Sequence, residues 1–130
     1  MVRIAVVNDD TAFLSLMAEV LEENGWETSI VREGSHAYAT IKEQRPDLVI
    51  LDIRMESPEN GWHIIELLKL DPETATIPMV VCSAAIDDLK SKKEWLEERD
   101  ITTLPKPFDI DDLYQTVERM LSLQDETSAD

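Results

Sequence analysis

The sequence predicts an α/β protein, a five-stranded parallel sheet in a (βα)5 doubly wound, three-layer sandwich. Three observations carry this expectation. Five short apolar runs recur along the 130 residues: RIAVV at 3–7, ETSIV at 27–31, DLVIL at 47–51, PMVVC at 78–82 and ITTL at 101–104. Three of them are continuously apolar, without alternation, the mark of strands covered on both faces. Stretches with helical apolar spacing fill the gaps. Buried strands alternating with amphipathic helices imply parallel pairing and right-handed crossovers.

Each element has its own local reason. After the first strand, residues 11–23 put Phe13, Leu14, Met17, Val20 and Leu21 on one helical face, and Asn24-Gly25 stops the helix. The second run is more polar and reads as an edge strand. Residues 35–44 start at a candidate Ser35 cap and end before Pro46. The third run, Leu48 to Leu51, closes on Asp52 and breaks into a loop holding Pro58 and Asn60-Gly61. Residues 61–70 carry Ile64, Ile65, Leu67 and Leu68. Residues 86–98 carry Ile86, Leu89, Trp95 and Leu96. The fifth run is again polar, an edge strand. Residues 110–123 carry Leu113, Val117, Met120 and Leu121 behind an Asp-rich first turn that suits the helix dipole. The closing QDETSAD, residues 124–130, reads as a frayed polar tail.

Composition narrows the function. Apolar residues make up 43% and charged residues 31% of the chain, a globular balance with room for one domain and no linker. The net charge of −16 opposes a duplex-binding surface, which needs clustered Lys and Arg, so no direct nucleic-acid contact is expected. Cys82 is the one cysteine and sits in an apolar run, a small core residue in a reducing compartment. No apolar run approaches ~18 residues, so no membrane span is expected. Acids arrive too early for a signal peptide, and a cytoplasmic location follows.

The chemistry gathers at one edge. In an open parallel sheet the ligand site lies outside the carboxyl ends of the strands. Asp9 and Asp10 close the first strand and Asp52 the third. If those strands are neighbours, their carboxylates crowd. Two such charges ~5 Å apart repel by roughly 3 kcal/mol at an effective dielectric near 20, which invites a cation. Oxygen ligands favour Mg²⁺. Ser83 brings a hydroxyl to the end of the fourth strand, and Lys106 an ammonium to the end of the fifth. Cation, hydroxyl and ammonium are groups that neutralise a transferring phosphoryl, and a carboxylate can receive it. Plainer readings compete singly. Asp10 suits a helix N-cap, Ser83 a turn, and Lys106 a surface position. Yet Lys106 sits between Pro105 and Pro107, which fix the backbone on both sides. The joint placement on four strand ends carries the signal.

The set VVNDD (6–10), LVILDIRM (48–55), NGW (60–62), VVCSA (80–84) and LPKPF (104–108) resembles the receiver domain of two-component response regulators, the CheY-like branch of flavodoxin-like folds. The resemblance covers residues 2 to about 123, which gives a receiver domain over 1–123. It implies a phosphoaspartate switch with Asp52 as phosphoacceptor. Asp9, Asp52 and the main-chain carbonyl of Arg54 match the ligands of Mg²⁺ (or Mn²⁺). Ser83 and the main-chain N–H of Ala84 match groups that bond the phosphoryl, and Lys106 the lysine that pairs with it. The implied donor is a phosphohistidine on a sensor histidine kinase or a histidine phosphotransfer protein. The implied output is a downstream protein docked on the fourth helix, fifth strand and fifth helix, near Trp95, Thr102, Tyr114 and Val117. A phosphorylation-dependent homodimer also belongs to that pattern. Only self-phosphorylation from phosphodonors and autodephosphorylation are implied as reactions.

The sequence departs from the family at several places. Asn8 stands where a second acid usual in the family reaches the metal indirectly, and Asp10 is a candidate to compensate. The loop from Asp52 to Gly61 is one residue longer than the usual spacing, with Ser57-Pro58 in it. Thr103 replaces a switching aromatic. Arg54 and Ala85 occupy positions that tune phosphoryl lifetime. A pseudo-receiver that only binds partners is the first alternative, opposed by the presence of both Asp52 and Lys106. A phosphohydrolase with an aspartate nucleophile is the second, opposed by Asn8-Asp9-Asp10-Thr11 in place of its D-x-D-x-[TV] signature. Three glycines and no phosphate-cradling loop oppose a flavodoxin-like cofactor site. His36, His63 and the lysines 42, 90, 92 and 93 read as surface groups. Trp26, Trp62 and Trp95 read as packing anchors.

Overall fold

A computed structural model describes residues 2–32, 34–53, 58–83, 86–105 and 109–128, with backbone only at 34, 35, 58–60, 83, 86, 88, 105, 110 and 123–128. The elements run β1 (Arg3–Val7), α1 (Thr11–Glu23), β2 (Glu27–Val31), α2 (Gly34–Gln44), β3 (Leu48–Asp52), α3 (Pro58–Leu70), β4 (Met79–Ser83), α4 (Ile86–Ser91), α5 (Lys93–Glu98), β5 (Thr102–Pro105) and α6 (Ile110–Ser128). All strands are parallel in the order β2-β1-β3-β4-β5, so the two polar runs are the edges, as their composition predicts.

Successive strand residues point to opposite faces, and each face has its own core. Ala5, Val7, Val49, Leu51 and Val81 face α2, α3 and α5, meeting Ala37, Ile41, Ile65, Leu68 and Leu96. Ile4, Val6, Leu48, Ile50, Val80 and Cys82 face α1 and α6, meeting Leu14, Met17, Leu21, Leu113, Val117 and Met120. Cys82 is fully buried there. Val117 is fully buried too, so it does not belong to a docking surface. His36 and His63 are exposed, as expected.

The stop after α1 follows its chemistry. Gly25 takes φ +82°, the left-handed region open to glycine, and its N–H reaches the Glu22 carbonyl at 3.0 Å. Four boundaries correct the sequence reading. α2 begins at Gly34, so Ser35 lies inside the helix and is not its cap. α3 begins at Pro58, not at 61, because proline's fixed φ and missing N–H suit a first helical position; Asn60-Gly61 thus lies in its first turn. The helix predicted over 86–98 is two helices that break at Lys92. α6 continues past residue 123 to Ser128.

Candidate functional site

The sheet register assembles the site. Val7 pairs with Leu51, so Asn8 and Asp52 leave adjacent strands side by side. Asp52 pairs with Cys82, and Ser83 with Pro105, which sets the ends of β3, β4 and β5 along the same edge. The Ile53 N–H continues the ladder past the acid, reaching the Cys82 carbonyl at 3.3 Å. Asp52 is half-buried at the rim. Asp9, next in sequence after Asn8, is exposed. Backbone alone is described at Ser83; Arg54, Ala84, Ala85 and Lys106 lie outside the described residues.

Asn8 is the deepest polar group here, only 1% exposed. Its side-chain Nδ2 donates to Asp52 Oδ2 at 3.2 Å, its Oδ1 accepts from the Asp10 N–H at 2.8 Å, and its own N–H donates to the Val31 carbonyl at 3.1 Å. A carboxylate in its place would set two anionic oxygens ~3 Å apart, a repulsion of about 5 kcal/mol at an effective dielectric near 20. The amide makes the same contact attractive. Asp10 has a different task. Its Oδ1 accepts from Ala12 N–H at 3.0 Å and Phe13 N–H at 3.2 Å, capping α1. The cap reading therefore holds.

Sequence reasoning missed the part played by Gly61. A Cβ on this buried helical residue would lie 2.4 Å from the Ile53 carbonyl oxygen and 2.7 Å from its Cα. The first turn of α3 thus rests directly on the backbone that follows Asp52, and only glycine permits that approach. The signal available in sequence was its scarcity, one of three glycines, just after the acidic strand end.

Among the described residues no three His, Cys, Asp or Glu side chains converge on a metal position. Two carboxylates, Asp9 and Asp52, remain at this edge. That donor set fits Mg²⁺, which takes one or two carboxylates and keeps several waters. Among the described residues no helix is long and apolar enough to cross a membrane.

A half-buried strand-end aspartate on an all-parallel sheet, with a second acid after the neighbouring strand, defines a class: an Asp-centred receiver fold. The chain belongs to the response regulator receiver domain family, which it matches over residues 4–118. Its family role is that of a phosphoacceptor in two-component signal transduction. It is 28% identical over 122 residues to sporulation initiation phosphotransferase F of Bacillus subtilis (strain 168), covering 94% of this chain and 95% of the relative. It is 30% identical over 128 residues to the DNA-binding response regulator MtrA of Mycolicibacterium paratuberculosis, covering 98% of this chain and 55% of that protein. The fold is shared, with a TM-score of 0.77 at 20% identity, with the receiver domain of the sensor histidine kinase PA1611 from Pseudomonas aeruginosa PAO1. That match covers 92% of this chain and 97% of the other, whose structure has a magnesium ion coordinated in the active site cleft.

Proposed function

We propose that Asp52 is the phosphoacceptor and that the chain receives its phosphoryl group from a phosphohistidine on a sensor histidine kinase or a phosphotransfer protein. A carboxylate oxygen of Asp52 forms the new O–P bond, the P–N bond to the donor imidazole breaks, and that electron pair stays on the imidazole nitrogen. The observation that carries this reading is the position of Asp52: half-buried at a strand end, bonded by the Asn8 amide and one strand from Asp9. Asp9, Asp52 and the Arg54 carbonyl would hold Mg²⁺ (or Mn²⁺), which when bound neutralises charge on the phosphoryl oxygens. Ser83, the Ala84 N–H and Lys106 would bond the transferred group. Asn8 is a poor indirect ligand, since its carbonyl oxygen already accepts from Asp10.

The same reading covers the remaining expectations. The receiver domain occupies 1–123 and acts in the cytoplasm. It labels itself from small phosphodonors and hydrolyses its own acyl phosphate. Its output is made by a protein docked on α4, α5, β5 and α6, or by a phosphorylation-dependent homodimer, without direct contact to nucleic acid. With Val117 buried, the half-buried Trp95, Thr102 and Tyr114 remain the surface candidates.

The test is labelling with acetyl phosphate and Mg²⁺, read by intact-protein mass. Wild type is expected to gain one phosphoryl group and Asp52→Asn none. Equal labelling of both overturns the assignment.

A further inference from the structure

We infer that Asn8 is a positioning residue for the acceptor: its buried amide orients the Asp52 carboxylate without charge, where an acid at position 8 would need a bound cation to sit beside Asp52. This rests on Asp52 as acceptor and deepens that reading.

The geometry leaves the amide one orientation. A side-chain amide offers a carbonyl acceptor at one end and two N–H donors at the other. Its Oδ1 faces the Asp10 N–H at 2.8 Å, and its Nδ2 faces Asp52 Oδ2 at 3.2 Å. Turned over, it would set donor against donor at Asp10 and oxygen against oxygen at Asp52, so the network selects the rotamer. The backbone is pinned as well, through its N–H to the Val31 carbonyl on β2. One residue is therefore tied to β2 by its main-chain N–H, and by its side chain to the cap of α1 through the Asp10 N–H and to β3 through Asp52. At 1% exposure no bulk water competes for these bonds.

Two consequences follow. The carboxylate is aimed in the metal-free protein, so its orientation does not wait on Mg²⁺. The site also carries one negative charge fewer than an acid at position 8 would give it, so it binds divalent cations more weakly and needs them less for stability.

A double-mutant cycle tests this. Asn8→Asp keeps the shape and replaces an N–H donor with an anion. In EDTA its melting temperature should fall below wild type by on the order of 5 °C or more. Saturating Mg²⁺ should restore most of that loss, because a ligand that binds the folded state stabilises it. Isothermal titration should show Mg²⁺ binding on the order of 10-fold tighter in Asn8→Asp than in wild type. In an Asp52→Asn background the same change should cost far less in EDTA, since no carboxylate remains opposite. If Asn8→Asp does not fold in EDTA, its Mg²⁺-dependent folding carries the same reading: metal-dependent with Asp52 present, metal-independent with Asp52→Asn. An equal loss in both backgrounds, with no recovery in Mg²⁺, makes Asn8 a packing residue and overturns the inference. Intact-mass labelling of wild type, read separately, distinguishes that result from failure of the acceptor reading.

Discussion

Asp52 and Asp71 flank α3, one before it and one after, and the molecule treats them differently. Asp52 takes the neutral amide of Asn8. Asp71 takes the Lys42 ammonium at 2.8 Å, the Tyr38 hydroxyl, and the Glu73 N–H at 2.9 Å. Its backbone carbonyl also accepts from Thr74 and Ala75. Lys42 and then Tyr38 hold the Asp71 carboxyl down at about 2, below its ordinary 3.8, and Asp71 in turn raises the Lys42 ammonium. The corner fastens α2 to the turn after α3, and the buried Thr74 hydroxyl seals it by donating to the Leu68 carbonyl at 2.5 Å. A strongly shifted carboxyl can thus mark an anchor, so a shifted group alone does not locate a site. Saturation with a cation makes a fastening. At Asp52 the Asn8 amide orients the carboxylate without adding charge.

The contrast can be broken from either end. Gly61→Ala strikes the acceptor side hardest, since its Cβ meets Ile53 backbone that has no flexible end to yield. It should cost about 1–3 kcal/mol in denaturant unfolding, after partial relief from alanine's better helix propensity, and slow labelling of Asp52. A cost near zero would mean that α3 does not bear on the end of β3. Asp71→Asn should act on stability alone. Because its folded carboxyl sits at about 2 and the ordinary value is 3.8, its contribution is complete above pH 4 and is lost as pH falls toward 2. The gap between wild type and variant should therefore narrow over that window in acid unfolding, while labelling stays at the wild-type rate. A gap independent of pH would remove the carboxylate from the account. Glu73→Gln touches the exposed rim, where Arg45 and Lys42 each lie 3.4 Å away, and should cost only ~0.2–1 kcal/mol by the same denaturant measurement.

Much of this was legible before the structure. Continuous apolar runs located β1, β3 and β4 within a residue or so, because burial on both faces leaves no polar alternation, and the two more polar runs fell at the edges. Asp9 and Asp52 could be placed at one edge because topology, not side-chain detail, brings strand ends together. Four things were hidden. Pro58 and Asn60-Gly61 carry turn chemistry, yet Pro58 starts α3 and Gly61 serves a close contact that only tertiary packing reveals. The break at Lys92 has no Pro or Gly, and Leu89 and Leu96 are both buried, so the apolar pattern reads through it. Lys42 looked like a solvated position because its partner lies far along the chain. Asn8 was singled out as a departure, but its bond to Asp52 depends on a register that sequence does not state.

One contact bears on how this protein could be watched. Trp62 follows Gly61 directly, and its indole meets Trp95 edge to face, with centroids 5.8 Å apart. Lys92 and Arg99 lie over these rings, at 5.7 Å from Trp62 and 4.2 Å from Trp95. Two neighbouring indoles, one on α3 and one on α5, make the native chain its own optical gauge. A small slide of α3 against α5 changes their electronic coupling, and near-ultraviolet emission and dichroism register it without any attached dye.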